Sequence, residues 1–205
     1  MKLPTEQQCQ GYFKEYVVPL NIVSHCHKVR EVANFIAKKM KESGQDVNLE
    51  FVNRLALMHD LFKVVAIPEL KPSKFHKYEF TEQEIAMANK LKQKYPNMYE
   101  SEVAYLVFKD EFPELANSLK NMSDPKIENK LKEEMIVNYA DWRVIQKKVI
   151  SLAERIAYLK EFYPGEEVFW QELMVKMLQL ENEIMSAINI DPTKLGEKIA
   201  AVKNG

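Results

Sequence analysis

Apolar residues recur at steps of three and four along most of this 205-residue chain, and no segment shows a convincing alternation of apolar and polar residues. Side chains three or four positions apart share one face of a helix, whereas a half-buried strand requires alternation. The helical pattern is clearest over residues 20–43, 48–62 and 168–188. The sequence therefore predicts an all-α protein, a bundle of amphipathic helices.

Proline, glycine and capping residues set the expected helix boundaries. Gly44 ends the second helix, and Thr81 with Glu84 has the form of a capping box at the start of a later one. The predicted helices cover residues 5–17, 20–43, 48–62 and 81–96, two short segments on either side of Phe112-Pro113, residues 126–162 and residues 168–188. Residues 64–80 are expected to form a long loop, and the tail from Asp191 is expected to fray.

Length and charge narrow the class of protein. A chain of 205 residues fits a single domain over residues 1–205. The net charge of -1 provides no basic footprint for a nucleic-acid backbone, so we expect no extended nucleic-acid surface.

No apolar run is long enough to span a membrane, and the polar start lacks the profile of a signal peptide. Cys9 and Cys26 are interpreted as free thiols, and the expected location is cytoplasmic.

His25 falls in the apolar stripe of the second predicted helix. The stripe consists of apolar residues at three- and four-residue steps: Ile22, Val29, Val32, Ala33, Ile36 and Ala37. His25 is therefore expected to face inward. His27 is turned by about 200° around the helix axis from His25 and is expected to face away.

A histidine and a carboxylate interrupt the nearly all-apolar segment 55–62, where His59 and Asp60 stand side by side. A buried carboxylate is costly unless a metal, a cation or several hydrogen bonds compensate its charge. Asp141 is a similar intrusion, on an apolar helix face that includes Val137. It too is expected to face the core.

Two imidazoles and two carboxylates from three helices form a mixed nitrogen and oxygen ligand set. Such a set suits one divalent ion, Mn, Fe, Co, Ni or Zn, and leaves positions for water and substrate. The predicted ligands are His25, His59, Asp60 and Asp141. Taken singly, each histidine is more often a hydrogen-bonded core residue, and pairing of the aspartates with Arg54 or Arg143 is an alternative. The adjacency of His59 and Asp60 favours the metal site.

The predicted ligands lie in three fragments: His25-Cys26-His27-Lys28-Val29, Leu57-Met58-His59-Asp60-Leu61-Phe62-Lys63 and Tyr139-Ala140-Asp141-Trp142-Arg143. In the order and helical context of these fragments, the chain resembles the HD-domain superfamily of metal-dependent phosphohydrolases. Together the fragments follow the family's ordered H, HD, D pattern. The resemblance implies an HD-like helical bundle over about residues 20–160, with extra N- and C-terminal helices, the last over about 168–188.

Two departures from the family pattern bear on the site. One HD branch has the pattern H-D-x-G-K, and this chain has Phe62 in place of the glycine. Branches that hold two or three metals use further histidines before the last aspartate, and this chain has only His76 there. The resemblance therefore implies one metal ion. The family's first signature has Val four and Ala eight residues after its histidine, which fits His25, with Val29 and Ala33, rather than His27.

A divalent ion in this site would activate water and polarise a phosphoryl oxygen, so hydrolysis of a phosphomonoester or phosphodiester is the expected reaction. Lys63, three residues after Asp60, is expected to hold the substrate phosphate; the alternative is a solvated lysine at a helix end. Arg143 is a second candidate phosphate contact, with a salt bridge as its alternative. The predicted catalytic residues are thus Asp60, Lys63 and Arg143.

The loop 64–80 contains candidates for two further roles. The candidates for a general acid or base are Glu69, His76 and Glu79, and nothing in their spacing selects one. The residues suited to holding a nucleotide base and its phosphate are Phe75, Tyr78, Phe80, Lys74 and Lys77. Such aromatic residues more often anchor a loop to the core.

The expected partner is a small phosphorylated substrate, of which a nucleotide is one example. The stripe Phe169, Leu173, Met177 and Leu180 in the last long helix suits the core or a homodimer contact. One competing hypothesis is a catalytically inactive HD-fold module that binds or senses a nucleotide. Another is an interaction protein in which the four predicted ligands form only a buried polar network.

Overall fold

A computed structural model of the protein describes residues 1–72, 77–122, 127, 130–163 and 165–203. The helices are α1 (Glu6–Glu15), α2 (Leu20–Glu42), α3 (Leu49–Met58), α4 (Glu82–Lys94), α5 (Glu100–Phe108), α6 (Pro113–Asn121), α7 (Lys132–Trp142), α8 (Leu152–Phe162), α9 (Glu167–Ile188) and α10 (Leu195–Lys203). The strands are β1 (Val144–Ile145) and β2 (Lys148–Val149), and short 3-10 turns cover Lys63–Val65 and Pro192–Lys194. The predicted all-α class is confirmed. None of the described helices is long and apolar enough to cross a membrane.

Side-chain caps determine where several helices begin. The Thr81 side chain accepts a hydrogen bond from the Glu84 backbone N–H at 3.2 Å, and the Glu84 carboxylate accepts one from the Thr81 N–H at 2.7 Å. The predicted capping box is therefore present, and the same arrangement starts α1 at Thr5 and α8 at Ser151. These reciprocal bonds satisfy backbone donors that have no partner inside the helix.

Within the described part of residues 126–162, the nearly continuous helix that the sequence predicted does not form. Instead α7 ends at Trp142, and β1 pairs antiparallel with β2 before α8 begins. Gln146 has a φ of 55°, a left-handed conformation that a helix excludes and a two-residue hairpin turn favours. The flanking residues Val144, Ile145 and Val149 are β-branched and suit strands. The expectation of no sheet was therefore wrong for this hairpin.

The tail beyond Asp191 forms a helix, although the sequence predicted fraying. The Asp191 carboxylate accepts hydrogen bonds from the backbone N–H and the hydroxyl of Thr193 at 2.9 Å and 2.8 Å. In α10, which follows, Leu195 and Ile199 are buried. Burial of these two side chains stabilises a helix too short to be stable by itself in water.

The chain divides into two compact units, each built from two segments. The first unit comprises Met1–His27 and Arg54–Lys130, and the second comprises Lys28–Asn53 and Leu131–Gly205. The boundaries between the segments fall inside α2, inside α3 and just before α7. The single domain expected from the sequence stays a prediction.

An aromatic core organises the first unit. Phe62 is buried, and its ring centroid lies 4.8 Å from that of Tyr16 and 6.2 Å from that of Phe108. Phe108 also contacts Tyr12 and Phe112, with centroid distances of 5.0 Å and 6.4 Å. Aromatic contacts of this kind add to the stability gained by burial. They hold in place the segment that follows α3.

In the second unit, the predicted apolar stripe of α2 is buried. Its buried members in this unit are Val29, Val32, Ala33, Ile36 and Ala37. Helix α9 packs against α7 and α8 and buries Trp170 and Met177. Phe169 on the same helix is exposed. The stripe predicted on the last long helix therefore contributes only partly to the core.

Candidate metal centre

The His59-Asp60 pair lies in a tight turn directly after α3, not inside a helix as the sequence predicted. The backbone N–H of Leu61 donates to Met58 O at 3.1 Å, and that of Lys63 donates to Asp60 O at 3.0 Å. Bonds between residues three apart tighten the end of a helix. Neither proline nor glycine occurs here to mark the ending, so the sequence carried no signal for it.

His25, on α2, lies beside this pair within the first unit. Its Nε2 atom is 3.7 Å from Asp60 Oδ2, and His59 Nε2 is also 3.7 Å from the same oxygen. The candidate ligand atoms of the three residues all lie within 4.8 Å of one another. Ligands bound at about 2.1 Å to one ion are about 3 Å apart, so small side-chain rotations are enough to reach a common ion. The structure thus brings together three of the four predicted ligands.

The hydrogen bonding of His59 presents the correct nitrogen for metal binding. Its Nδ1 atom lies 2.7 Å from the backbone oxygen of Ala56. Because a carbonyl oxygen only accepts hydrogen bonds, Nδ1 carries a proton, and Nε2 is the ring nitrogen that faces Asp60. Histidine ligands of metals commonly donate their other N–H to a carbonyl in this way. The donor set therefore fits a divalent ion.

Lys63 places its ammonium group next to Asp60. Its Nζ atom is 3.6 Å from Asp60 Oδ1, whereas the two imidazoles face Oδ2. Lys63 Nζ also donates to Glu100 Oε1 at 2.7 Å. The side chain of Lys63 is 33% exposed and that of Glu100 is 20% exposed. The positively charged side chain of Lys63, still partly open to solvent, therefore lies at the edge of the cluster formed by His25, His59 and Asp60.

Comparison with known families agrees with this geometry. Residues 22–144 match the family model described as HD domain, which is more than half of the chain and includes all four predicted ligands. This protein belongs to the HD domain family. The family expected from the sequence is thus confirmed, and its members are generally metal-dependent hydrolases. Searches of curated proteins and of solved structures found no significant match.

Glu100 lies next to Lys63 at the cluster formed by His25, His59 and Asp60, and nothing in the sequence indicated it. It is the first residue of α5 and lies 37 positions from Lys63 in the chain. An acidic residue in the first turn of a helix is ordinarily explained by the helix dipole. The packing of α5 against the turn Lys63–Val65 brings Glu100 to Lys63, and no local spacing could show that.

Cys26 lies beside His59 and Asp60. It is fully buried, and burial raises the pKa of its thiol, against smaller opposing effects that include the neighbouring His59. Cys9 is also buried, with its sulfur 3.6 Å from that of Met58. Both cysteines are free thiols, as predicted. They pack around the turn that carries His59.

His27 lies away from the cluster, as helix geometry predicted. Its ring centroid is 6.2 Å from that of Phe13, and its Nε2 atom is 3.4 Å from Gln10 Nε2. Among the described residues, the group able to hold a metal comprises only His25, His59 and Asp60. Three residues predicted to be in the loop, Lys74, Phe75 and His76, lie outside the described residues.

Tyr78 anchors the end of the predicted loop. Its hydroxyl donates to Glu84 at 2.6 Å and accepts a hydrogen bond from the backbone N–H of Leu20 at 3.2 Å. The ring of Phe80 packs edge-on against it at 5.1 Å. These contacts favour the anchoring interpretation of both aromatic residues over stacking on a nucleotide base.

Asp141 lies in α7, in the second unit. Its side chain is 23% exposed, and its Oδ2 atom is 3.5 Å from Nη2 of Arg155. Val137, four residues earlier on the same side of α7, and the preceding Ala140 are buried, so Asp141 lies at the end of a buried helix face. Its role as the fourth ligand of the HD-domain metal stays a prediction.

Arg143 has a different environment from the one predicted for a phosphate contact. It is 4% exposed, and its Nη1 atom donates to Glu181 Oε2 at 2.8 Å and to the hydroxyl of Tyr139. Nε and Nη2 donate to the backbone oxygens of Ile150 and Pro192. Burial raises the pKa of Tyr139, whose hydroxyl donates to the same Glu181 carboxylate at 2.7 Å. These contacts favour the salt-bridge alternative over a phosphate contact, and the catalytic assignment of Arg143 stays a prediction.

Replacing Arg143 with alanine is expected to lower the free energy of unfolding by about 3 kcal/mol, because Glu181 would keep a buried charge without its cation. Chemical denaturation followed by circular dichroism measures the change. Lys160→Ala, which breaks the exposed pair with Glu167 at 2.8 Å, is the matched control and should cost less than about 1 kcal/mol. Equal losses in the two variants would contradict the structural role of Arg143.

Proposed function

We propose that this HD-domain protein hydrolyses a phosphomonoester or phosphodiester, with one divalent ion held by His25, His59, Asp60 and Asp141. A nucleotide is a substrate of this class. The proposal is supported most directly by the His59 ring, whose Nδ1 donates to Ala56 O and whose Nε2 faces Asp60 and His25. A buried imidazole held in this tautomer beside a carboxylate is typical of a metal ligand.

The donor set also limits the choice of ion. Two imidazole nitrogens with carboxylate oxygens suit Mn, Fe, Co, Ni or Zn better than Mg, which prefers oxygen ligands alone. When bound, such an ion supplies an activated water and polarises the phosphoryl oxygen. His25 and His59 provide neutral nitrogen donors, and Asp60 provides negative charge.

Lys63 is proposed to bind the substrate phosphate. Its ammonium lies 3.6 Å from Asp60 Oδ1 and remains partly exposed, so an anion at the cluster comes within its reach. A charged donor that contacts a phosphoryl oxygen stabilises the negative charge that develops in the transition state. Arg143, buried in its own network, is not included in this proposal.

A metal-supplemented activity screen tests the function. The purified chain is stripped of metal, reloaded separately with Mn, Fe, Co, Ni, Zn and Mg, and assayed for phosphate release. The substrates are p-nitrophenyl phosphate, its bis ester, nucleoside mono- and triphosphates and cyclic dinucleotides. We expect turnover with at least one transition metal and none in His59→Asn. Metal and nucleotide binding without turnover would instead establish the inactive regulatory module.

Phe62 stands where one HD branch has glycine, and a backbone that required glycine there would favour the inactive module. Phe62 has a φ of -105°, which any residue adopts, and its side chain packs in the aromatic core of the first unit. The backbone here therefore has no need of a glycine. The presence of Phe62 is thus compatible with hydrolytic activity.

Replacing Asp141 with asparagine tests the fourth ligand. We expect the affinity for Mn to fall by about tenfold or more, because a charged ligand becomes a neutral one. Isothermal titration calorimetry measures the affinity. Arg155→Met is the control, since it removes the ion pair of Asp141 and leaves the carboxylate in place. Unchanged Mn affinity in Asp141→Asn would exclude Asp141 from the site.

The homodimer expected from the last long helix also stays a prediction. Four large apolar side chains of α9 are exposed in the single chain: Val168, Phe169, Val175 and Leu178. Exposed apolar residues on one helix are compatible with a contact between two copies. Light scattering of the purified protein measures its oligomeric state.

A further inference from the structure

We propose that Glu100 is a positioning residue that sets the place of the Lys63 ammonium at the metal cluster, an inference that rests on the proposed function. Lys63 Nζ is 2.7 Å from Glu100 Oε1 and 3.6 Å from Asp60 Oδ1. The ammonium thus lies between two carboxylates and is closer to the one that belongs to α5. Glu100 keeps the Lys63 ammonium from binding Asp60 directly, so the Asp60 carboxylate remains available to the metal.

The anchoring of α5 makes Glu100 a fixed partner. The helix begins at Glu100, and the Glu102 carboxylate accepts a hydrogen bond from the Tyr99 N–H at 2.8 Å, which caps its first turn. Val103 and Phe108 are buried, and α5 packs against α6 and against the turn Lys63–Val65. A carboxylate on a packed helix restrains a flexible lysine better than one on a mobile loop would.

The charges explain what Glu100 would do for the site. Without Glu100, the Lys63 ammonium is drawn toward Asp60, because opposite charges at these distances attract strongly in a partly buried site. An ammonium bound directly to Asp60 competes with the metal for that carboxylate. It also moves away from the position where it meets the phosphate. Glu100 therefore supports both metal binding and phosphate binding, and it does so through Lys63.

A double-mutant cycle tests whether Glu100 acts through Lys63. The proteins are the wild type, Glu100→Ala, Lys63→Met and the double variant. Three quantities are measured: the Kd for Mn alone, the Kd for inorganic phosphate on the Mn-loaded protein, and kcat and KM for p-nitrophenyl phosphate. We expect Glu100→Ala to weaken phosphate binding by about tenfold, and to bring no further loss when Lys63 is already methionine.

Two more variants separate positioning from other roles. Glu100→Gln keeps an oxygen that accepts from Lys63, so its loss of phosphate affinity should stay below about threefold. Glu31→Ala is the control, because Glu31 also pairs with a lysine, at 3.1 Å and with 22% exposure, and neither residue is a proposed metal ligand or phosphate contact. It should change none of the three quantities.

The proposal is overturned if Glu100→Ala weakens phosphate binding equally in the presence and absence of Lys63. It is also overturned if Glu100→Gln is as impaired as Glu100→Ala, which is the result expected of a general acid or base. If Glu100→Ala does not fold by circular dichroism, Glu100→Ser replaces it in the cycle, since serine is well tolerated at a helix start. A wild type without turnover would contradict the proposed function alone. The two binding constants would still decide the role of Glu100.

Discussion

Replacing Asp60 with alanine is expected to abolish both metal retention and phosphoester hydrolysis. Asp60 Oδ2 is the oxygen that both imidazoles face at 3.7 Å, so its removal takes away the anionic member of the described cluster. His25, His59 and the proposed ligand Asp141 would remain, but the carboxylate that faces both imidazoles would be lost, and we expect the ion to be lost on dialysis. Metal content after dialysis, measured by mass spectrometry, and kcat with the best substrate of the screen check the result.

The change in stability of Asp60→Ala is a separate measurement, because two effects oppose each other. Loss of the carboxylate relieves the desolvation of a charge that is only 17% exposed, but it also removes the ion pair with Lys63. Glu31→Ala is a close control, since Glu31 is 22% exposed and also pairs with a lysine three residues away. Full metal occupancy in Asp60→Ala would exclude Asp60 as a ligand.

The sequence predicted the metal cluster because its residues break a strong pattern. His59 and Asp60 interrupt an apolar segment, and a polar pair in such a place requires a compensating partner. The helical phase of α2 separated His25 from His27, and the structure places only His25 beside Asp60. Periodicity and burial cost are properties of the local chain, so they are readable without a structure.

Features that depend on packing between distant segments escaped prediction. Glu100 reaches Lys63 only because α5 packs on the turn after α3. Arg143 follows Asp141 by two residues in the sequence, which suggested a site residue, but its guanidinium donates to Glu181 and to the hydroxyl of Tyr139. The hairpin after α7 was hidden because a left-handed Gln146 carries no compositional signal. Tertiary contacts decided the first two, and the backbone conformation of a single residue decided the third.

Replacing Lys63 with alanine or methionine is expected to lower kcat/KM by about one to three orders of magnitude, the cost of losing one charged contact to the transition state. Metal content should remain unchanged, because the imidazoles and Asp60 are intact. Steady-state kinetics beside metal analysis of the same preparations provide the measurement. Since the Lys63 side chain is 33% exposed, loss of a purely structural ion pair would cost at most about 1 kcal/mol and would act through stability alone.

Lys39→Ala is the matched control for Lys63. Lys39 is 39% exposed and pairs with Glu42, three residues away, at 2.6 Å, as Lys63 pairs with Asp60 three residues before it. Loss of Lys39 should leave kcat/KM unchanged. If Lys63→Ala and Lys63→Met behave like Lys39→Ala, then Lys63 does not touch the substrate. Phosphate binding would then depend on residues outside residues 59–63, because Lys63 is the candidate phosphate contact in that turn.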